Sequence, residues 1–272
     1  MGKDSKYENL IEYLKGLEKV AIAFSGGVDS NFLLKVSQEA LGDKVVAITV
    51  KAPYIPKKEI KEVKEIVKIS GVEHYFLEMP LEDLIKNNPE DRCYICKKAV
   101  FNKIMLLAKD KGAKYVLDGT NFDDTKEYRP GMKALEELNI KSPLKELGFK
   151  KEEIRQYSKE LKLNTWNKPS YACLLSRIPY GKEISFEELE RIEKSEEFLQ
   201  QIGFNGARVR SYGEMARIEV YKNQIGEFFE EKILNMVVSK LKLLGYKYVT
   251  VDLEGYRSGS MDSNIKDGNN NE

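Results

Sequence analysis

At 272 residues the chain is long enough for one large domain or two modest ones. Its 45 Lys and Arg nearly balance 44 Asp and Glu, a net charge of +1, which excludes a dominant nucleic-acid-binding surface and leaves room only for a local basic patch. No apolar run reaches the roughly 18 residues of a membrane-spanning helix, and Met1–Leu10 lacks the apolar stretch of a secretory signal, so a cytoplasmic protein with no membrane partner is expected.

Strand and helix patterns alternate through the first half. Val20–Phe24 reads as a strand and Ser30–Leu41 as a helix, with the loop Ser25-Gly26-Gly27-Val28-Asp29-Ser30 between them. Lys44–Val50 is a second apolar strand. Pro56 opens a helix with Ile60, Val63, Val67 and Ser70 at helical spacing, and Gly71 ends it. A short strand at Tyr75–Leu77 precedes a long helix over Arg92–Lys111, ended by Gly112. Tyr115–Leu117 is another strand, followed by the turn Asp118-Gly119-Thr120-Asn121-Phe122-Asp123-Asp124. This alternation predicts an α/β fold: a Rossmann-like parallel sheet with helices on both faces.

Pro130–Asn139 and Glu152–Leu163 read as helices. The two prolines and the glycine of Thr165–Gly181 mark a loop or linker. The element order then changes to helix (Phe186–Ile202), strands (Ala207–Arg210 and Ala216–Tyr221), helix (Ile225–Leu244) and strand (Tyr246–Leu253), a smaller α+β domain. The expected division is 1–168 for the parallel-sheet domain, 169–262 for linker and α+β domain, and a disordered tail over 263–272.

Two glycines at a strand-to-helix turn let a ligand approach the backbone closely. The helix start behind them offers free N–H groups and a positive dipole end, a natural seat for phosphate. The loop lacks the lysine of a Walker A motif and the dinucleotide G-x-G-x-x-G pattern. Ser25–Ser30 instead resembles the PP-loop of ATP pyrophosphatases, which split ATP between the α- and β-phosphates. Asp118–Asp124 also follows a strand, so both loops fall at the carboxyl edge of the sheet, where ligands bind.

Cys93 and Cys96 form a C-x-x-C at the start of the long helix, on one helical face. The helix start, Arg92, Lys97 and Lys98 all favour thiolate over thiol. Cys173 stands in the linker. Three thiolates can hold three irons of a [4Fe–4S] cluster and leave the fourth open. A zinc site, a redox C-x-x-C pair and buried unreactive cysteines compete with that reading. The single histidine, His74, reads as a half-buried strand residue. Arg208 and Arg210 alternate on a strand and share a face. With Arg177 they could receive a phosphate, or they could line a solvated hairpin.

Taken together, Ser25–Ser30, Arg92–Lys97 (RCYICK), Asp118–Asp124, Pro169–Arg177 (PSYACLLSR) and Ala207–Val220 resemble the LarE family, sulfur transferases that build the nickel-pincer cofactor of lactate racemase. The resemblance spans Val20 to about Asp262. It implies an adenylating sulfurtransferase that uses ATP and Mg²⁺ to activate a carboxylate of pyridinium-3,5-dicarboxylic acid mononucleotide, with sulfur then displacing AMP. It implies that Ser25, Gly26, Gly27, Asp29 and Ser30 hold the ATP phosphates, with Asp29 near Mg²⁺. Gly119, Thr120 and Asn121 face the same crevice. Lys97 and Asp124 are implied as active-site residues, and Arg177, Arg208 and Arg210 as nucleotide ligands. Some family members sacrifice a single cysteine at the position of Cys173. Others use three cysteines to hold a [4Fe–4S] cluster with one iron not ligated by protein, and Cys93, Cys96 and Cys173 resemble that set. The rival readings are a PP-loop tRNA-thiolating enzyme, an amidotransferase-type PP-loop synthetase and a nucleotide sensor without turnover. The sulfide donor and any homo-oligomer are left open.

Overall fold

The computed structural model describes residues 5–126, 130–169, 172–257 and 259–261. The predicted tail over 263–272 lies outside the described residues. The chain divides into two compact units, Met1–Glu82 with Asp91–Tyr171, and Asp83–Glu90 with Ala172–Glu272.

The first unit carries a four-stranded parallel sheet in the order β3-β2-β1-β4: β1 Val20–Ala23, β2 Val45–Lys51, β3 Glu73–Glu78 and β4 Tyr115–Leu117. Its helices are α1 Ser5–Lys15, α2 Val28–Leu41, α3 Lys57–Ser70, α4 Arg92–Asp110, α5 Gly131–Glu137, α6 Pro143–Glu146 and α7 Lys151–Glu160. Successive strand residues point to opposite faces. Val20 and Ile22 of β1 and Val45 and Ala47 of β2 therefore join one core with Leu10 and Leu14 (α1), Phe32 (α2), Val63 (α3) and Ile154 (α7). Ala21, Val46 and Ile48 join a second core with Phe101 and Ile104 of α4 and Leu135 of α5. A sheet covered on both faces needs apolar residues at every position, which is why these strands read as continuous apolar runs.

From β1 the chain winds outward through α2, β2 and α3 to β3. It then returns by α4 to set β4 on the other side of β1. The strand order thus reverses at β1 and β4, and the loops after those two strands flank the crevice that such a reversal opens.

Pro56 and Gly71 bound α3 as the sequence predicts. Gly71 takes a left-handed φ of 65° and its N–H closes on the Val67 carbonyl at 3.0 Å. The N-terminal helix α1 is an element the sequence patterns above do not predict. Tyr7, Leu10 and Leu14 recur at helical spacing and are buried in the first core.

His74 lies half-buried on β3. Its Nε2 is 2.8 Å from Thr49 Oγ1 and its ring meets Phe76 edge-on at 4.5 Å. Burial lowers its pKa from 6.5 to about 4. The unfolded imidazole takes a proton below pH 6.5 while the folded one does not, so this residue removes stability as pH falls from about 6.5 towards about 4. His74→Gln is expected to lose less stability than the parent between pH about 7 and about 5, read by urea unfolding at the two values.

The second unit carries a three-stranded sheet, β5 Arg208–Tyr212, β6 Met215–Glu219 and β7 Tyr248–Val251, with α8 Phe186–Gln201, α9 Ile225–Phe228 and α10 Glu231–Leu243. β5 and β6 pair antiparallel, and β6 and β7 pair parallel. The single helix predicted over Ile225–Leu244 is two. The chain extends at Glu230 (φ −61°, ψ 132°), and Phe228 is buried against Phe204, ring to ring at 5.0 Å. Residues 83–90 belong to this unit by detailed contacts. Asn88 is fully buried, and its side-chain amide donates to the Ile178 and Pro179 carbonyls at 2.8 and 2.9 Å.

Candidate functional site

The carboxyl end of β1 is fixed before the loop begins. Phe24 N–H donates to Ile48 O at 2.9 Å, and its carbonyl accepts from Thr49 Oγ1 at 2.7 Å. Gly26 then takes φ +70°, and a Cβ there would stand 2.6 Å from Val63 Cγ2, so backbone and packing both require glycine. Gly27 differs. It sits at the N-cap of α2 with φ −76° and ψ 171°, angles open to any residue, and a Cβ would meet only Ser25 Oγ at 3.3 Å. The chain itself does not demand glycine there, whereas a ligand lying against the backbone would. Ser25 and Ser30 hydroxyls lie 3.1 Å apart across the loop, and Asn31 N–H begins the helical ladder on Gly27 O at 3.0 Å. The N–H groups of Val28, Asp29 and Ser30 precede that ladder and have no acceptor within the helix.

Asp29 sits in that first turn. One carboxylate oxygen pairs with Lys151, the first residue of α7, while the buried Oδ1 has no hydrogen-bond partner. Burial raises its pKa most strongly. The Lys151 charge opposes that rise, and the Asp124 charge adds to it. Lys151 is a functional candidate that sequence reasoning missed. Its own N–H donates to Asp123 at 2.9 Å, so the α7 start and the β4 loop are joined. Lys168 Nζ reaches Gly26 O at 3.1 Å and Glu62 at 2.6 Å.

The loop after β4 presses on the same helix start. A Cβ on Gly119 would stand 3.0 Å from Ser30 N and 3.3 Å from Asp29 C, so this glycine lets two backbones touch. Asp118 is buried and accepts from Thr120 and Ser142 hydroxyls. Asn121 Oδ1 accepts from Asp123 and Asp124 N–H at 2.9 and 3.3 Å, and Asp124 accepts from Asn121 N–H at 3.0 Å. Thr120 and Asn121 thus shape the loop, and Asp124 is held within electrostatic reach of Asp29.

Cys93 lies in the first turn of α4 and Cys96 begins the second. Cys93 is exposed, and Cys96 Sγ lies 3.3 Å from Tyr54 Oη. Lys97 crosses the start of α5, where a Cβ on Gly131 would meet its Cδ at 2.8 Å. Among the described residues no three His, Cys, Asp or Glu side chains gather as a metal site. The C-x-x-C thiols match the donor chemistry of iron–sulfur clusters. Asp29 Oδ1 beside a phosphate seat matches Mg²⁺, which takes one or two carboxylates and fills its shell with phosphate and water.

In the second unit Cys173 caps a 3₁₀ turn, Leu174–Arg177. Arg177 is 1% exposed and forks onto Glu196 at 2.8 and 2.9 Å. Burial works against both charges, yet their pairing leaves Arg177 raised and Glu196 lowered. Arg208 and Arg210 share a face, and that face is interior. Arg210 donates to Glu219 at 2.6 and 3.0 Å, and Arg208 to the Gly206 and Ala207 carbonyls. Glu219 is fully buried and also pairs with Arg217 at 3.0 Å.

A family model described as queuosine biosynthesis protein QueC matches residues 19–92. An uncharacterised protein of Synechocystis sp. is 41% identical over 261 residues, 95% of this chain and 97% of that protein. The pyridinium-3,5-bisthiocarboxylic acid mononucleotide synthase of Lactiplantibacillus plantarum is 35% identical over 265 residues, 96% of this chain and 95% of that one. An uncharacterised protein of Methanocaldococcus jannaschii is 38% identical over 257 residues, 92% and 95% of the two chains.

Proposed function

Because the chain belongs to the family of pyridinium-3,5-bisthiocarboxylic acid mononucleotide synthases, we propose that it is a cytoplasmic, ATP-dependent sulfurtransferase acting on a carboxylate of pyridinium-3,5-dicarboxylic acid mononucleotide. The observation that carries the mechanism is the α2 start. A glycine at unstrained angles, where a Cβ would meet only the Ser25 hydroxyl, stands beside a buried Asp29 oxygen without a partner, and Lys151 pairs with the other oxygen of that carboxylate. Ser25, Gly27 and the first-turn amides of α2 bind the phosphates. Asp29 holds Mg²⁺ against them, and Lys151 supplies the cation that the loop sequence lacks.

The substrate carboxylate attacks the α-phosphorus, and pyrophosphate leaves toward Lys151 and the helix dipole. A sulfur nucleophile then adds to the activated carbonyl, and AMP leaves with the oxygen. Lys97 and Asp124 border the reacting group. Cys93, Cys96 and Cys173 would hold a [4Fe–4S] cluster, which when bound supplies an iron-carried sulfide at the iron that no cysteine ligates.

The test is anaerobic turnover with ATP, Mg²⁺, sulfide and the pyridinium dicarboxylate mononucleotide. It is combined with iron analysis and mass spectrometry of the protein. Thiocarboxylate, AMP and pyrophosphate are expected, with the protein mass unchanged. Cys93→Ala is expected to lose most of the iron and to release AMP without matching thiocarboxylate. If that variant still makes one thiocarboxylate per chain while Cys173 loses its sulfur, the sacrificial route operates instead. Salt-sensitive tRNA binding with no turnover of the mononucleotide would refute the substrate assignment.

A further inference from the structure

The 3₁₀ turn that carries Cys173 is held more firmly than a turn of four residues requires. Its own hydrogen bond, Ser176 N–H to Cys173 O at 3.2 Å, would suffice to close it. Two further donors converge on the same carbonyl, Ser176 Oγ at 3.0 Å and Arg177 Nη1 at 3.1 Å. Arg177 Nη1 also reaches Ala172 O at 2.9 Å and Ser176 Oγ at 2.8 Å. From the sheet, Arg210 Nη1 donates to Ser176 O at 3.0 Å. The peptide units on both sides of Cys173 Cα are therefore gripped by the Arg177 guanidinium, Arg210 holds the far end of the turn, and each guanidinium is backed by a carboxylate. Glu196 takes Arg177 and also accepts Val209 N–H of β5 at 3.0 Å, while Glu219 takes Arg210.

Two buried ion pairs are a poor means of stabilising so small a turn, because an apolar replacement of similar volume is often neutral or better. Their forked geometry is what an apolar residue cannot supply. Nor is Arg177 left with the donors a phosphate would need. Nε and Nη2 go to Glu196, and Nη1 goes to acceptors within residues 172–176. We propose that Arg177, backed by Glu196, is a positioning residue rather than a nucleotide ligand: it fixes the backbone of Cys173 and so aims the Cα–Cβ bond that presents the thiol. Arg210 secures the other end of the same turn.

This inference rests on the reading of Cys173 as part of the sulfur-delivering set. The test uses Arg177→Lys, which keeps the charge and loses the fork, and Ser176→Ala, which keeps the ion pair and removes the hydroxyl that donates to the Cys173 carbonyl and accepts from Arg177. The first readout is the ratio of thiocarboxylate to AMP formed. It is expected to fall by about 10²-fold in Arg177→Lys and by several-fold in Ser176→Ala, the range usual for displaced reacting groups. The second needs no turnover. With Cys93 and Cys96 replaced by Ser, Cys173 is the sole thiol, and its alkylation rate by iodoacetamide at one fixed pH is compared with and without Arg177→Lys. A changed rate in a protein whose circular dichroism matches the parent supports positioning. An unchanged rate together with an unchanged product ratio overturns it. So does a fall in phosphate-dependent substrate affinity (a raised KM with the product ratio unaltered), which would mark Arg177 as a ligand. If Ser176→Ala and Arg177→Lys lower only the melting temperature, the clamp is structural and the proposal fails. Should Cys173→Ala itself leave thiocarboxylate formation intact, the parent reading falls first, and the two failures are thereby distinguished.

Discussion

Asp29→Ala is expected to reduce ATP-dependent AMP formation by about 10³-fold or more, the scale set by removing a metal-holding or charge-stabilising group from a preorganised site. The loss arises because pyrophosphate carries away charge that water no longer stabilises in a buried crevice. Asp29 keeps one oxygen without a partner there and turns the other to Lys151. The same substitution is expected to leave the fold intact and to raise its stability at neutral pH. Burial dominates the environment of this carboxyl and raises its pKa, so the folded chain holds the proton more tightly than the unfolded chain does. Stability from such a group is present at low pH and lost as pH rises through the raised value, so an ionised Asp29 is a net cost near neutrality. Thermal melts of Asp29→Ala and Asp29→Asn near pH 7 should therefore match or exceed the parent while pyrophosphate release collapses. A normal rate of pyrophosphate release would remove Asp29 from the mechanism. A lowered melting temperature would show that its pairing with Lys151 is worth more than its burial costs.

Cys173→Ala is expected to abolish thiocarboxylate formation, a fall of at least about 10³-fold, as for removal of a nucleophile or its carrier. AMP should still form, because the PP-loop residues are elsewhere in the chain, and it should form without product. That uncoupling separates the two halves of the reaction. On the proposed mechanism, adenylation would depend on Ser25–Ser30 and Lys151, and sulfur delivery on the thiols. Parallel loss of AMP and thiocarboxylate would mean that Cys173 serves activation as well.

The parallel sheet was legible because a doubly covered strand must be apolar at nearly every position, and the runs Val20–Phe24, Val45–Ile48 and Val116–Leu117 are. Helix ends were legible where proline and glycine impose them, as at Pro56 and Gly71. Helix α1 carried a weaker signal, apolar residues interspersed with charges, and takes its stability from a core that is distant in sequence. The parallel pairing of β6 with β7 could not be read, because alternation tells which residues share a face and not which strand lies alongside. The same limit applies to the site. Asp29 declared itself by its place in the loop, but Lys151, 122 residues away, looks like any other helix-start lysine until the fold brings it there. Arg208 and Arg210 showed their shared face, yet nothing local said that Glu219 would lie buried on the neighbouring strand to receive Arg210.

The eight residues 83–90 tie the two units together in a way that no single linker does. The chain leaves the first unit, gives Asn88 to the second, and returns before α4 begins. No one peptide bond can therefore be cut to release either unit whole. A fragment starting at Ala172 would carry the Ile178 and Pro179 carbonyls without the amide that holds them. During synthesis Asn88 waits about 90 residues for those partners to leave the ribosome. Cys93, five residues beyond Asn88, is made early, whereas the surroundings of Cys173 are completed only when β5 and β6 arrive. The loop Ser25–Ser30 and Lys151 are thus made before the surroundings of Cys173 exist.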